Sequence, residues 1–285
     1  SGHRNEYVLL PGGDFNMGTD KQKILPDMEG PSRRVRLDPF YIDRYAVTNE
    51  EFDEFAGATG FISESESFGW SFVFHTAIPA TLQAEVTQAV KDVEWWSPVE
   101  GAYWFQPEGP GTDVFAEDAY RGKDPVVQVV SWNDADAYCR WRNASRLPTE
   151  EEWEYAARGG LVNKMFPWGN SAMPNGTHRM NIYQGKFPTA NSRDDGYEFV
   201  GPVDAYPPQN DFGLYNMMGN VWEWVDNWWE DARGEPPTEK VKKGGSFLCH
   251  KSYCYRYRNA ARTKSTPDSA TLNGGFRCAK TVQQD

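Results

Sequence analysis

Cysteine and histidine are scarce in this chain, with four of each among 285 residues. Soft-metal and redox chemistry is therefore confined to a few positions. Basic residues are in deficit: 29 Lys and Arg stand against 41 Asp and Glu, for a formal charge of −12. That balance argues against a nucleic-acid partner, because phosphate binding needs a basic surface. It does not constrain protein partners, since local patches can oppose the net sign. No apolar run approaches the ~18 residues of a membrane-spanning helix, and mean hydropathy is low, at −0.72. No charged-then-apolar leader opens the sequence. Ser1-Gly2-His3 reads as a trimmed start, so a removed signal segment is compatible with it. No repeat, low-complexity tract or composition shift divides the chain, which reads as one domain over 1–285.

Aromatic residues are abundant, including 12 Trp, and offset a modest aliphatic content in building a core. The 26 Gly and 19 Pro are spread throughout. Long loops are expected over 100–125, 159–215 and 226–240. Four helices are predicted. Thr48 caps the first, with Glu51 in capping-box position. The second covers about 81–93, from Leu82, Val86, Val90 and Val93 at helical spacing. Ser131 starts the third, with Trp132, Ala135 and Cys139 on one side. Thr149 and Glu152 open the fourth, which Gly159-Gly160 ends. Short strands are expected at 6–10, 34–45, 126–130, 241–248 and 275–280. The mixture is α+β, with little regular secondary structure and long ordered loops.

Cys249 and Cys254 lie five positions apart, just after Gly244-Gly245. On one straight strand they face opposite sides, so they converge only if the chain turns near His250–Ser252. Spacing alone favours a structural disulfide across that turn. Zinc is weaker, because supporting ligands at standard spacing are missing. Two thiolates without other ligands also suit Cu(I), which is soft and accepts low coordination. Cys139 and Cys278 each read as a buried thiol or as partners in a disulfide, and the residues alone leave both open.

Several segments form an ordered set: Pro11-Gly12-Gly13-Asp14-Phe15-Asn16-Met17-Gly18; Arg146-Leu147-Pro148-Thr149-Glu150-Glu151-Glu152-Trp153; Pro167-Trp168-Gly169-Asn170; Gly213-Leu214-Tyr215-Asn216; Gly219-Asn220-Val221-Trp222-Glu223-Trp224; and Gly275-Phe276-Arg277. This order resembles the formylglycine-generating enzyme (sulfatase-modifying factor) family over essentially the whole chain. The Gly244-Gly245-Ser246-Phe247-Leu248-Cys249 run with Cys254, and Thr266-Pro267-Asp268-Ser269, resemble its catalytically active type, whereas the inactive paralogue lacks the cysteine pair. The resemblance implies a C-type-lectin-like fold. It implies oxidation, with O2 and Cu(I), of the cysteine in Cys-x-Pro-x-Arg of nascent or unfolded sulfatases to Cα-formylglycine, with Cys249 and Cys254 as the copper-binding catalytic pair.

The same resemblance places Ser246, His250, Tyr253, Trp222, Arg262 and Asn273 around the active-site pocket. On sequence alone Trp222 reads equally as core, and His250 as an exposed neighbour. Tyr255-Arg256-Tyr257-Arg258 reads as strand alternation and packing rather than substrate contact. Two structural Ca2+ sites are implied: Asn181, Ile182, Asp195 and Tyr197 for one, Asn216, Gly219, Val221 and Glu223 for the other. Hard oxygen ligands in irregular loops suit that ion, although Asp195-Gly196 alone reads as a turn. Cys139–Cys278 matches one vertebrate disulfide; Asn259 and Ala157 stand where a second is found, so that crosslink is absent. The vertebrate N-terminal extension is not in this sequence either.

Two alternatives come from other classes. One is a calcium-stabilised C-type-lectin-like binding module without catalysis, since fold does not fix function; the other is a different oxidase or hydroxylase of the same superfamily. Retention of the cysteine pair argues against both. Two glycosylation sequons, at Asn143 and Asn175, carry little weight. The expected compartment is the endoplasmic reticulum lumen, with the cytoplasm as the alternative for a bacterial form.

Overall fold

The computed structural model describes residues 5–116, 125–142, 145–230 and 234–283. The Asn143 sequon lies outside them. In chain order the strands are β1 (Tyr7–Leu10), β2 (Gly13–Met17), β3 (Arg33–Leu37), β4 (Phe40–Asp43), β5 (Trp70–Phe74), β6 (Trp96–Glu100), β7 (Gly185–Lys186), β8 (Ala190–Asn191), β9 (Trp222–Trp228), β10 (Lys240–Lys243), β11 (Arg262–Ser265), β12 (Gly274–Gly275) and β13 (Ala279–Thr281). The helices are α1 (Asn49–Thr59), α2 (Glu64–Phe68), α3 (Trp132–Trp141) and α4 (Glu150–Arg158).

The helices begin where side chains satisfy their first free amides. Thr48, Ser63, Ser131 and Thr149 each accept from the backbone three residues on, and the acidic side chain there reaches back to the cap. Such a cap contributes about 1 kcal/mol. Three of these were expected; α2, only five residues long, was not. The helix expected over 81–93 does not form. That stretch runs through isolated turns, Val90 donates to the Trp96 carbonyl, and Asp92 has φ of 69°. The 34–45 strand divides into β3 and β4. At 126–130 only Thr48 pairs with Val126, and Val129 has φ of 56°, which breaks strand geometry.

Two sheets organise the chain. One has the order β1-β4-β13; the other has β11-β10-β9-β12. Between them, Arg277 and Glu223 are fully buried and form a two-pronged ion pair, with contacts of 2.7 and 2.8 Å. Trp153 of α4 donates its indole N–H to Glu223 at 2.7 Å, and Arg277 also donates to the Tyr215 carbonyl at 2.7 Å. Burying charge is tolerable only when paired in this way. Cys139 of α3 is disulfide-bonded to Cys278, with S–S 1.98 Å and Cα atoms 5.6 Å apart. No described helix is long and apolar enough to cross a membrane.

Candidate active site

β10 is followed by Gly244 and Gly245, with φ of 96° and 73°. A Cβ on Gly244 would lie 2.5 Å from the Met217 carbonyl oxygen, so only glycine lets the chain pass. Two turns follow. Cys249 N–H donates to the Ser246 carbonyl at 2.9 Å, and Cys254 N–H to the His250 carbonyl at 2.7 Å. The second is the turn the spacing requires. It brings the Cα atoms of Cys249 and Cys254 to 4.7 Å, and the two residues are paired. Both are buried, and no third His, Cys, Asp or Glu joins them as a metal ligand among the described residues.

The pair opens onto a cavity of about 230 Å3. Ser246, Tyr253, Trp222 and Asn273 line it, as expected. The Ser246 hydroxyl oxygen accepts from the Asn273 amide at 3.0 Å and from Leu248 N–H at 3.3 Å. Thr271 donates to the Asn273 amide oxygen at 2.8 Å, which fixes the orientation of that amide. With its lone pairs engaged, Ser246 retains its proton as a donor. Tyr253 stacks on Phe187, with centroids 4.7 Å apart and planes 5° apart, and meets Trp95 edge-on at 4.7 Å.

His250 and Arg262 are placed elsewhere. His250 Nδ1 accepts from Ser252 N–H at 3.2 Å and contacts the Ser252 hydroxyl at 2.7 Å, so the ring braces the turn. Burial and nearby Lys251 hold its pKa below the usual histidine value. Arg262 donates to Glu150 at 2.8 Å and lies over Trp229, 4.3 Å from the ring centroid. The 255–258 segment is not a strand. Arg256 donates to Asp27 at 3.0 Å and lines the cavity, while Arg258 pairs with Glu29. Sequence reasoning also missed Lys242, Thr263, Lys264 and Ser265 in the cavity wall.

Cys249 and Cys254 are disulfide-bonded here; reduced to two thiolates they form a soft donor set that suits Cu(I). For calcium, the two residue groups behave differently. Asp195 accepts from Ile182 N–H at 2.9 Å and from Tyr197 N–H at 3.1 Å, which gathers the first group. Gln184 donates to both the Ile182 carbonyl and the Asp195 carboxylate. Asp195 has no Lys or Arg ion pair among the described residues, and burial raises its pKa. These oxygens fit a hard cation. Asn181 adjoins them but donates its amide to the Phe199 carbonyl at 2.7 Å. In the second group the Asn216 side-chain oxygen is buried without a hydrogen-bond partner, which also fits. Gly219 packs close to the Asn181 backbone, and Val221, two residues further on, is buried. Glu223 does not fit as well, because Arg277 already neutralises it through both oxygens.

The family model described as "Sulfatase-modifying factor enzyme 1-like domain" matches residues 2–282. The mouse formylglycine-generating enzyme is 51% identical over 284 residues, covering 96% of this chain and 74% of its own. The cattle protein named inactive C-alpha-formylglycine-generating enzyme 2 is 47% identical over 281 residues, covering 98% and 89%. Among solved structures, PvdO from Pseudomonas aeruginosa superposes with a TM-score of 0.66 at 24% identity, covering 99% of both chains, which bears on the fold alone. The fold is α+β and C-type-lectin-like, and the chain belongs to the sulfatase-modifying factor enzyme 1-like family.

Proposed function

We propose that this chain oxidises the cysteine of Cys-x-Pro-x-Arg in unfolded sulfatase polypeptides to Cα-formylglycine, using O2 and Cu(I). The observation that carries this reading is the buried pair Cys249 and Cys254 at the wall of a cavity. Family membership alone does not carry it, since a relative named inactive is 47% identical. Cys249 and Cys254, as thiolates, would hold the copper. When bound, Cu(I) supplies one-electron chemistry toward oxygen that side chains lack.

The remaining steps belong to the protein's own groups. Tyr253, Phe187 and Trp95 form an aromatic shelf suited to the flat face of the substrate proline. Trp222, only 5% exposed, limits water at the cavity wall. Asn273, held by Thr271, leaves the Ser246 proton as a donor toward the substrate sulfur or oxygen. Ca2+ at Asp195, with the Ile182 and Tyr197 carbonyls and Asn181, would hold the 181–197 loops. The Cys139–Cys278 bond supports an oxidising compartment, for which we propose the endoplasmic reticulum lumen.

The test is mass spectrometry of a Cys-x-Pro-x-Arg peptide incubated with the copper-loaded protein in air. Conversion to the aldehyde is expected, with loss in Cys249→Ala and in Cys254→Ala. Full activity in either variant refutes the assignment of the pair. No conversion by the wild type favours a calcium-stabilised binding module instead.

A further inference from the structure

The wall of this cavity carries charge of one sign. Lys242, Arg256 and Lys264 line it, and no Asp or Glu among the described residues does, in a chain with formal charge −12. Two of these cations are already matched: Arg256 by Asp27, and Lys264 by Glu239 at 2.6 Å. Lys242 is not. It is 7% exposed, and its ammonium makes no ion pair and donates no hydrogen bond among the described residues. It lies over the face of Trp224, 5.1 Å away, because β10 pairs Lys242 with Trp224, and Glu239, which is paired with Lys264, acts on it only through its charge. Across the other edge of β10, Lys242 is directly opposite Thr263 of β11. Thr263 also lines the cavity, and its hydroxyl donates to no protein acceptor among the described residues.

A buried ammonium without an acceptor is costly, and proteins rarely keep one without use. Here two uncommitted donors, one charged, lie on one face of neighbouring strands. They open onto a cavity of about 230 Å3, a size that suits a small ion. Trp224 closes one side of the ammonium, which restricts its bonds to the cavity.

We propose that Lys242 and Thr263 form a subsite for a small monovalent inorganic anion. The subsite rests on this geometry alone. Its physiological occupant, which we assign as hydrosulfide, rests on the proposed function. In that reaction water replaces sulfur on the substrate carbon: a thioaldehyde and water give an aldehyde and hydrogen sulfide, with no further oxidant. Hydrogen sulfide loses a proton to solvent to become the anion. The sulfur is thus released into the cavity whose wall carries this cation and this hydroxyl donor.

Bromide is the probe. Crystals of the full chain soaked in bromide are expected to show an anomalous peak beside Lys242 Nζ, and titration calorimetry to show saturable binding. Lys242→Met is expected to weaken binding at least about tenfold, and Thr263→Val by a few-fold, as for charged and neutral hydrogen bonds respectively. Lys264→Met is expected to leave the peak in place. No peak beside Nζ, or equal affinity in Lys242→Met, overturns the subsite. In the Cys249→Ala variant, where the cysteine pair cannot react, added hydrosulfide is expected to displace bromide; failure to do so overturns the assigned occupant. These readouts need no turnover, so an inactive wild type refutes the proposed function while leaving the subsite standing.

Discussion

The disulfide between Cys139 and Cys278 closes a loop with a sequence separation of 139 residues, nearly half the chain. Cutting it releases the unfolded ensemble from that constraint. Loop-closure entropy for this length gives about 5 kcal/mol at 25 °C, toward the upper end of what such bonds contribute. A chain of 285 residues unfolds with an entropy of roughly 0.6 kcal/mol/K. The Cys139→Ala, Cys278→Ala variant is therefore expected to melt about 8 °C lower, by calorimetry at matched protein concentration. Both residues are fully buried, so truncation itself adds a small packing loss. The control is a Cys249→Ala, Cys254→Ala variant with and without a reductant strong enough to open the Cys139–Cys278 bond; on reduction its melting temperature should fall by a similar amount. A drop under about 2 °C in both refutes the argument, because the bond would then constrain little in the unfolded chain.

Glu223→Ala strands Arg277 without its carboxylate in a fully buried position. A loss of about 3–5 kcal/mol is expected in denaturant unfolding, and a loss under 1 kcal/mol would contradict the pairing. Lys242 supplies a pH test. Desolvation lowers its pKa from 10.5 to about 8, with Glu239 partly opposing. Between those values the unfolded chain binds a proton that the native state lacks, so native stability rises with pH through that window. Lys242→Met removes this rise and is expected to be more stable at pH 7 by up to about 3 kcal/mol. Identical pH profiles for the two proteins would refute it. Removal of Ca2+ with a chelator is expected to lower the melting temperature, and restoring it at about a hundred times its Kd to return about 2.7 kcal/mol. Asp195→Asn should abolish that response; an undiminished response in this variant would dissociate Asp195 from the ion.

The helix starts were legible because a cap is a local contract: a hydroxyl, three residues, a carboxylate. Thr48, Ser131 and Thr149 satisfy it within four positions. The false helix at 81–93 shows the limit of periodicity, since apolar spacing records burial without naming the backbone that achieves it. Leu82 and Val86 do pack on the core, but from irregular turns. The turn that joins Cys249 to Cys254 was visible as a requirement of spacing. Lys242 and Thr263 were not visible at all. They are 21 positions apart in sequence and become neighbours only through the β10–β11 register. Arg262, one residue from Thr263, instead faces Glu150.

Strand β9 puts two unrelated duties on adjacent residues. Trp222 meets the cavity, while Glu223 holds the Arg277 pair. Alternation along a strand makes this possible, and it also ties the two duties to a common reading frame. Inserting or deleting one residue before Trp222 would exchange the faces, sending a carboxylate to the cavity and an indole into the ion pair. A length change at this point should therefore disrupt both duties at once. The length of β9 therefore fixes the position of the cavity relative to the core.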